Sequence, residues 1–168
     1  MNKGFEVIEA MHLFQMPAEQ IRIIIHPESI IHSMVEFHDG SILAQLSVPD
    51  MHISIQYALL YPNRMPISVH APYPLELLRS LTFEKWDEKR YPCVALAYEA
   101  ARIGGTMPTV LNAANDALVS RFLSENIHFT DIADGVSHVM SHHNSIACPS
   151  LEDIFSAIAW AQEFVQAY

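Results

Sequence analysis

The dipeptide Asp39-Gly40 stands between two segments in which apolar and polar residues alternate, SIIHSMVEFH and SILAQLSV. Asp-Gly is a strong signal for a two-residue turn between antiparallel strands, because these two residues tolerate the backbone conformation that such a turn requires. The sequence therefore predicts a β-hairpin in which His38 pairs with Ser41. This hairpin excludes an all-helical fold.

The predicted register assigns alternate residues to two faces of the hairpin. We expect the first face to belong to a core, and it carries Ile31, Val35, Phe37, Ile42, Ala44, Leu46 and Val48. We expect the second face to be either exposed to solvent or part of an interface. It carries His32, Met34, Glu36, His38, Ser41, Leu43, Gln45 and Ser47.

Three other elements are predicted in the first half of the chain. Apolar residues at helical spacing predict a helix over residues 3–14, with Pro17 soon after its end. The β-branched run IRIIIH at 21–26 predicts a short buried strand. The segment MHISIQYALL at 51–60 predicts a second helix.

The sequence becomes rich in proline from Pro62, which is the first of four prolines within thirteen residues. Proline disfavours helix in the residue before it and favours extended backbone, so residues 61–90 predict a connecting arm. Residues 91–168 predict a small bundle of four helices. We therefore predict an α+β fold in three parts, residues 1–60, 61–90 and 91–168.

Characteristic residues mark the ends of the predicted C-terminal helices. These signals are Pro92 at a first helical turn, Gly104-Gly105 after a last one, Thr130 or Asp131 as a cap, and Ser150 with Asp153 as a capping box.

The composition excludes some partners and leaves others open. The 168 residues carry a net charge of −10, which argues against binding to nucleic acid or to an anionic membrane surface. A phosphorylated small molecule needs only one or two local cations and is not excluded. The longest apolar runs fall far short of the ~18 residues of a transmembrane helix. The two cysteines lack CxxC spacing, so we expect a reducing, cytoplasmic compartment.

Three polar residues, Asn2, Lys3 and Glu6, share one face of the first predicted helix, because residues three and four apart are neighbours on a helix. The amide and the ammonium group could hold a phosphate or a sugar hydroxyl, and Glu6 could bind a divalent metal. An ordinary solvated helix face with a Lys–Glu pair explains the same spacing, and residue spacing alone favours that simpler interpretation.

Longer strings in the sequence carry a family resemblance. MNKGFEVIEAMHLF and IIIHPESIIHSMVEFHDGSILAQLSVPDM closely resemble the 1-deoxy-D-xylulose 5-phosphate reductoisomerases. The likeness continues through YPNR, RYPCVALAYEA, GGTMPTVLNAANDALVSRFL and IHFTDIA, and so covers nearly the whole chain.

The resemblance implies an activity and a set of site residues. Enzymes of this family use NADPH and Mg²⁺ or Mn²⁺ to convert 1-deoxy-D-xylulose 5-phosphate to 2-C-methyl-D-erythritol 4-phosphate in non-mevalonate isoprenoid synthesis. Residues 1–60 are implied as the C-terminal part of the catalytic domain. By position in the motif, Glu6 and Lys3 are implied as catalytic residues, and Glu6 also as a metal ligand that meets the substrate. The implied substrate-binding residues are Asn2, Lys3, Glu6, Ser29, His32, Pro49 and Met51.

Several parts of the family pattern are absent from this sequence. It has neither the glycine-rich NADPH loop of a Rossmann domain nor the Asp-Ser-Glu segment that supplies the other metal carboxylates. We therefore expect the chain to be the C-terminal portion of the enzyme. We expect it to be inactive alone and to bind neither NADPH nor metal tightly.

The resemblance also implies a homodimer, with the hairpin's second face, including Met34 and Leu43, against another subunit. Two alternatives remain. The chain could be a non-catalytic dimerisation or binding module derived from this scaffold, or part of a related reductase that acts on a different sugar phosphate.

Overall fold

A computed structural model describes residues 1–66, 78 and 80–167. The described residues form six α-helices and four short strands, and the predicted α+β class is confirmed. The chain divides into two compact units, Met1–Ile23 with Trp86–Tyr168, and Ile24–Lys85. We call these the helical unit and the sheet unit.

The helical unit is built around one central helix. Helix α4 (Met107–Leu123) packs against α5 (Asp131–His142), α6 (Leu151–Ala167) and α3 (Pro92–Ile103). The predicted four-helix bundle is confirmed. Its apolar core supplies the main stabilisation, because burial removes apolar surface from water. The fully enclosed part of that core includes Ala97, Ala100, Val110, Leu111, Ala114, Leu118, Val136, Val139, Ala161 and Val165.

The signals at the helix ends correspond to particular contacts. Pro92 occupies the first turn of α3, and Gly104 ends that helix with a φ of 68°. The predicted capping box is confirmed, because Ser150 N donates to Asp153 Oδ2 while Asp153 N donates to Ser150 Oγ. Thr130 occupies the N-cap position of α5 without a capping side-chain hydrogen bond.

The opening helix α1 (Asn2–Phe14) belongs to the helical unit and confirms the helix predicted over residues 3–14. It packs against α3, and its two buried residues are Gly4 and Val7. Gly4 lies against Ala97, and a side chain at position 4 would overlap with the Ala97 Cβ. The short residues at this crossing allow the two helix backbones to approach closely.

The described part of the sheet unit contains two separate pairs of strands and one helix. Strands β2 (Ile31–Glu36) and β3 (Ile42–Leu46) form the predicted hairpin, and α2 (Met51–Leu60) confirms the second predicted helix. Strand β1 (Ile24–Ile25) pairs with β4 (Glu84–Lys85).

The strand predicted over residues 21–26 was therefore wrong in length and burial. Among the residues that the structure describes, only Ile24 and Ile25 of this segment pair, and Ile24 remains 43% exposed. The partner strand is itself only two residues long, and Pro27 follows, which cannot donate a backbone hydrogen bond to a ladder. A run of β-branched residues indicates a preference for extended backbone, but it does not indicate whether partner strands are present.

The predicted register of the hairpin was wrong by one residue. Phe37 pairs with Ser41, because Phe37 N donates to Ser41 O, and the loop contains three residues rather than two. Gly40 takes the left-handed conformation at φ 84°, while Asp39 Oδ1 accepts hydrogen bonds from both the N–H and the hydroxyl of Ser41. A three-residue loop that ends in a left-handed glycine is the next common hairpin type.

The shift moves every β3 side chain to the opposite face of the hairpin relative to its β2 neighbours. Val35 now lies opposite Leu43, and Met34 lies opposite Ala44. Met34 and Leu43, predicted on one face, are therefore on different faces. The expectation of a buried face was also wrong for the described residues, because Val35, Phe37, Ile42 and Leu46 of the predicted core face are all exposed.

The predicted division into residues 1–60, 61–90 and 91–168 stays a prediction. Residues 67–77 and 79 of the proposed arm lie outside the described residues. No helix in the described part of the chain is long and apolar enough to cross a membrane.

Candidate functional site

Asn2, Lys3 and Glu6 meet on the first turns of α1. Asn2 Nδ2 donates to Glu6 Oε1 at 2.8 Å, and Lys3 Nζ donates to Glu6 Oε2 at 2.7 Å. Each carboxylate oxygen of Glu6 therefore has its own donor, one an amide and one an ammonium group. The helical spacing predicted this convergence, and we call these three residues the opening cluster.

The opening cluster contributes little to stability. The side chains of Lys3 and Glu6 are 63% and 44% exposed, and exposed ion pairs of this kind are worth between ~0 and ~1 kcal/mol. Solvent access does leave the carboxylate and the ammonium group available to a ligand. Binding a ligand here would require only the exchange of weak surface contacts.

The backbone at the start of α1 is partly satisfied. Gly4 N and Phe5 N donate to Met1 O at 2.7 and 3.2 Å. The polar chemistry of the opening cluster therefore resides mainly in its side chains rather than in free amides at the helix end.

The opening cluster can supply only part of a metal site. A carboxylate oxygen suits a hard cation such as Mg²⁺, which takes about six oxygen ligands, several of them waters. No group of three His, Cys, Asp or Glu residues able to hold a metal occurs within the described ranges. Glu6 fits the role of one carboxylate ligand to an ion whose other protein ligands lie elsewhere.

The remaining predicted site residues lie in the sheet unit, at the open end of the hairpin. His32 Nε2 donates to Ser47 O at 3.1 Å, and Ser47 N donates to Ile30 O at 3.0 Å. These bonds hold the residues just before β2 and just after β3 side by side. His32 occupies the irregular position between Ile31 and Ser33, where the register of the hairpin shifts.

Ser29, Pro49 and Met51 flank this end of the hairpin. Ser29 has a positive φ of 51°, an uncommon conformation for a residue other than glycine. Pro49 and Met51 lie on either side of Asp50, and Met51 is the first residue of α2 and is 69% exposed. All three side chains are exposed. The four residues Ser29, His32, Pro49 and Met51 form what we call the hairpin-end group.

Two features of the structure were not predicted from the sequence. Asp50 caps α2, because its Oδ1 accepts hydrogen bonds from His52 N at 2.7 Å and from His52 Nδ1 at 2.6 Å. An Asp before a helical segment is an ordinary capping signal and could have been recognised. The packing of Gly4 against Ala97 had no comparable local signal.

The structure thus brings the predicted residues together in two sets. The opening cluster lies in the helical unit, and the hairpin-end group lies in the sheet unit. The side chains of both sets are at least partly exposed and are therefore accessible to a ligand.

Comparisons with known proteins agree with this sequence and fold. The profile of the DXP reductoisomerase C-terminal domain matches residues 46–164. The 1-deoxy-D-xylulose 5-phosphate reductoisomerase of Bacillus cereus (strain ATCC 10987 / NRS 248) is 51% identical over 165 residues, which is 98% of this chain and 43% of that protein. The enzyme of the same name from Caldanaerobacter subterraneus subsp. tengcongensis is 53% identical over 156 residues, which is 93% of this chain and 41% of that protein.

Two solved structures superpose closely. The reductoisomerase from Zymomonas mobilis in complex with NADPH gives a TM-score of 0.91 at 45% identity and covers 99% of this chain and 44% of that one. A DOX-P reductoisomerase in complex with NADPH, fosmidomycin and magnesium gives 0.90 at 40% identity and covers 99% and 43%. The chain spans less than half the length of these relatives. The chain belongs to the 1-deoxy-D-xylulose 5-phosphate reductoisomerase family.

Proposed function

We propose that this chain is part of an NADPH- and divalent-metal-dependent enzyme that converts 1-deoxy-D-xylulose 5-phosphate to 2-C-methyl-D-erythritol 4-phosphate. Family membership supports this reaction, since the match runs through 98% of the chain. The structural observation that carries the proposal is the Glu6 carboxylate, which accepts one hydrogen bond from Asn2 and one from Lys3. Within that enzyme, Glu6 is a metal ligand, and Asn2 and Lys3 bind the substrate.

The opening cluster combines the groups that this substrate requires. A metal ion at Glu6, when bound, supplies Lewis acidity to substrate oxygens. The Lys3 ammonium group contributes a positive charge and three donors, and Asn2 contributes an amide that both donates and accepts. Both side chains already reach the Glu6 oxygens, so a sugar phosphate placed at Glu6 is within range of both. Their role is to fix its position rather than to exchange protons.

The packing of α1 orients this cluster. Gly4 and Val7 are the buried residues of α1, and Gly4 lies against Ala97 of α3, while Lys3 and Glu6 are partly exposed. Because a side chain at position 4 would overlap with the Ala97 Cβ, the side of α1 that carries Gly4 lies close against α3, while Lys3 and Glu6 remain exposed. The helical unit therefore serves as the support for the opening cluster.

The hairpin-end group is proposed to lie near the same substrate in the complete enzyme. Its members occupy the positions that resemble active-site residues of the family, and their side chains are exposed. His32 uses Nε2 in a bond to Ser47 O, which leaves Nδ1 as an acceptor in the neutral ring.

We further propose that the enzyme is a cytoplasmic homodimer. Cys93 and Cys148 are both free thiols, which suits a reducing compartment. Large apolar side chains are exposed along the hairpin, as at a surface that another subunit covers.

Steady-state turnover of the complete enzyme tests the role of Glu6. The variant Glu6→Gln keeps the size of the side chain and one acceptor oxygen but removes the negative charge and the second acceptor. We expect kcat to fall by at least ~100-fold, since weaker disturbances around metal ligands already cost ~10–100-fold. Glu9→Gln, an exposed position on the same helix, is the matched control and should remain near the parent value. Near-parent turnover of Glu6→Gln would show that Glu6 is not a ligand.

A further inference from the structure

Two histidine rings lie side by side at the C-terminal end of α5. His138 and His142 are four residues apart and so share a helix face. Their ring centroids are 4.3 Å apart, with an angle of 55° between the ring planes. Neither residue belongs to the opening cluster or to the hairpin-end group.

Hydrogen bonding fixes the orientation of the His142 ring. Its Nδ1 lies 2.8 Å from the backbone oxygen of His138. A carbonyl oxygen only accepts, so Nδ1 carries the proton and Nε2 of the neutral ring carries a lone pair. A backbone carbonyl that holds one ring nitrogen while the other faces a metal is the usual arrangement around metal-binding histidines.

The surroundings of the two histidines favour the binding of a cation and limit the rotation of the rings. Phe164 of α6 contacts both rings, with centroid distances of 5.5 Å to His138 and 5.3 Å to His142. These contacts already limit rotation of the two rings in the free protein, so the rings lose less rotational freedom when they bind a metal. His142 is also the last residue of α5, where the helix dipole places partial negative charge.

We propose that His138 and His142 form a two-ligand chelate for a divalent transition-metal ion of the Zn²⁺, Ni²⁺ and Cu²⁺ class. Imidazole nitrogens suit these ions, whereas Mg²⁺ prefers oxygen, so this site differs in chemistry from the carboxylate at Glu6. His142 can keep the hydrogen bond of its Nδ1 and give Nε2 to the metal, while His138 needs to give only one of its two ring nitrogens. No third His, Cys, Asp or Glu joins the pair in the part of the chain that the structure describes, so water completes the coordination.

Isothermal titration of the 168-residue chain with NiCl2 and CuCl2 tests this site. We expect one site per chain, tighter for Cu²⁺ than for Ni²⁺. His142→Ala should weaken binding of both ions by at least ~10-fold, since it removes one of two ligands. His142 is exposed, so this variant should fold, and circular dichroism checks that it does.

Two further variants separate a chelate from single-histidine binding. His138→Gln should weaken binding as much as His142→Ala, and His128→Ala, a change at an isolated exposed histidine, should leave it unchanged. The electron paramagnetic resonance spectrum of the Cu²⁺ complex should show coupling to two histidine nitrogens in the parent and one in each variant of the pair. Parent-like affinity in either His142→Ala or His138→Gln would overturn the proposal.

Discussion

Gly4 of α1 lies directly against Ala97 of α3, at a distance that leaves no space for a side chain on residue 4. This glycine stands between Lys3 and Glu6 in sequence, on the opposite side of the helix from their polar groups. The same short segment therefore carries both the proposed site and the contact that fixes its direction. Glycine is required here by the close approach of two helices and not by its backbone conformation, which is helical.

The variant Gly4→Ala tests this packing. In an exposed helix the change would stabilise by ~1 kcal/mol, because alanine has the higher helix propensity. At this crossing we expect the opposite sign, a loss of ~1–3 kcal/mol, because the added methyl group overlaps with Ala97. Urea unfolding of the 168-residue chain measures it, with Glu9→Ala on the exposed face as the control. A more stable Gly4→Ala variant would show that the helices do not meet at this point.

Thr106 connects the start of α4 to the segment after α5. It is completely buried, its Oγ1 accepts from Ile146 N at 3.0 Å, and the same oxygen lies 2.7 Å from His143 Nε2. Thr106→Val keeps the shape but leaves the two partners unsatisfied, so we expect a loss of ~1–3 kcal/mol in unfolding free energy. Thr130→Val, at an exposed threonine without a capping bond, should change stability by less than ~0.5 kcal/mol. Equal effects in the two variants would contradict this assignment.

His143 should make stability depend on pH. Burial beside Thr106 and Trp160 lowers the pKa of His143 below its ordinary value of 6.5. As pH falls through 6.5, the unfolded chain therefore takes up this proton before the folded chain does. The contribution of this group is present above that pH and declines below it.

The variant His143→Gln keeps a hydrogen-bonding group toward Thr106 but does not titrate. Urea unfolding of parent and variant at two pH values on either side of 6.5 measures the difference. We expect the parent to lose more stability on acidification than the variant. An equal or larger loss in the variant would show that His143 is not held in its neutral form by the fold.

Apolar residues on the hairpin predict self-association of the chain. Val35 and Leu43 lie opposite each other and are 57% and 66% exposed. Light scattering should detect a dimer, and Leu43→Lys should shift it toward monomer by placing a charge in the covered surface. Ile42→Lys, on the other face of the hairpin, is the control. A parent chain that is strictly monomeric would remove this support for the homodimer.

The helices of the C-terminal half were predictable because their signals are local. Pro92, Gly104 and the Ser150–Asp153 box each act within one turn of the chain, and all three occur as expected. The register of the hairpin was not predictable from Asp39-Gly40 alone. Two-residue and three-residue loops both place glycine in a left-handed position, and the bonds from Ser41 to Asp39 accompany the longer one.

Burial was the least predictable property. Alternation in the hairpin indicates which side chains share a face, but it does not reveal what covers that face. The proximity of Asn2, Lys3 and Glu6 followed from helical spacing, whereas their proposed role came from the resemblance of longer strings. Gly4 was missed because its contact, Ala97, lies far along the chain.

Direct metal binding to the complete enzyme tests the central claim, that Glu6 is one carboxylate of a divalent-metal site. Electron paramagnetic resonance of free Mn²⁺ during a titration gives the affinity without requiring turnover. We expect the parent to bind one Mn²⁺ per active site and Glu6→Gln to bind it at least ~10-fold more weakly, with Glu9→Gln unchanged. Equal Mn²⁺ affinity in the parent and in Glu6→Gln would contradict the account.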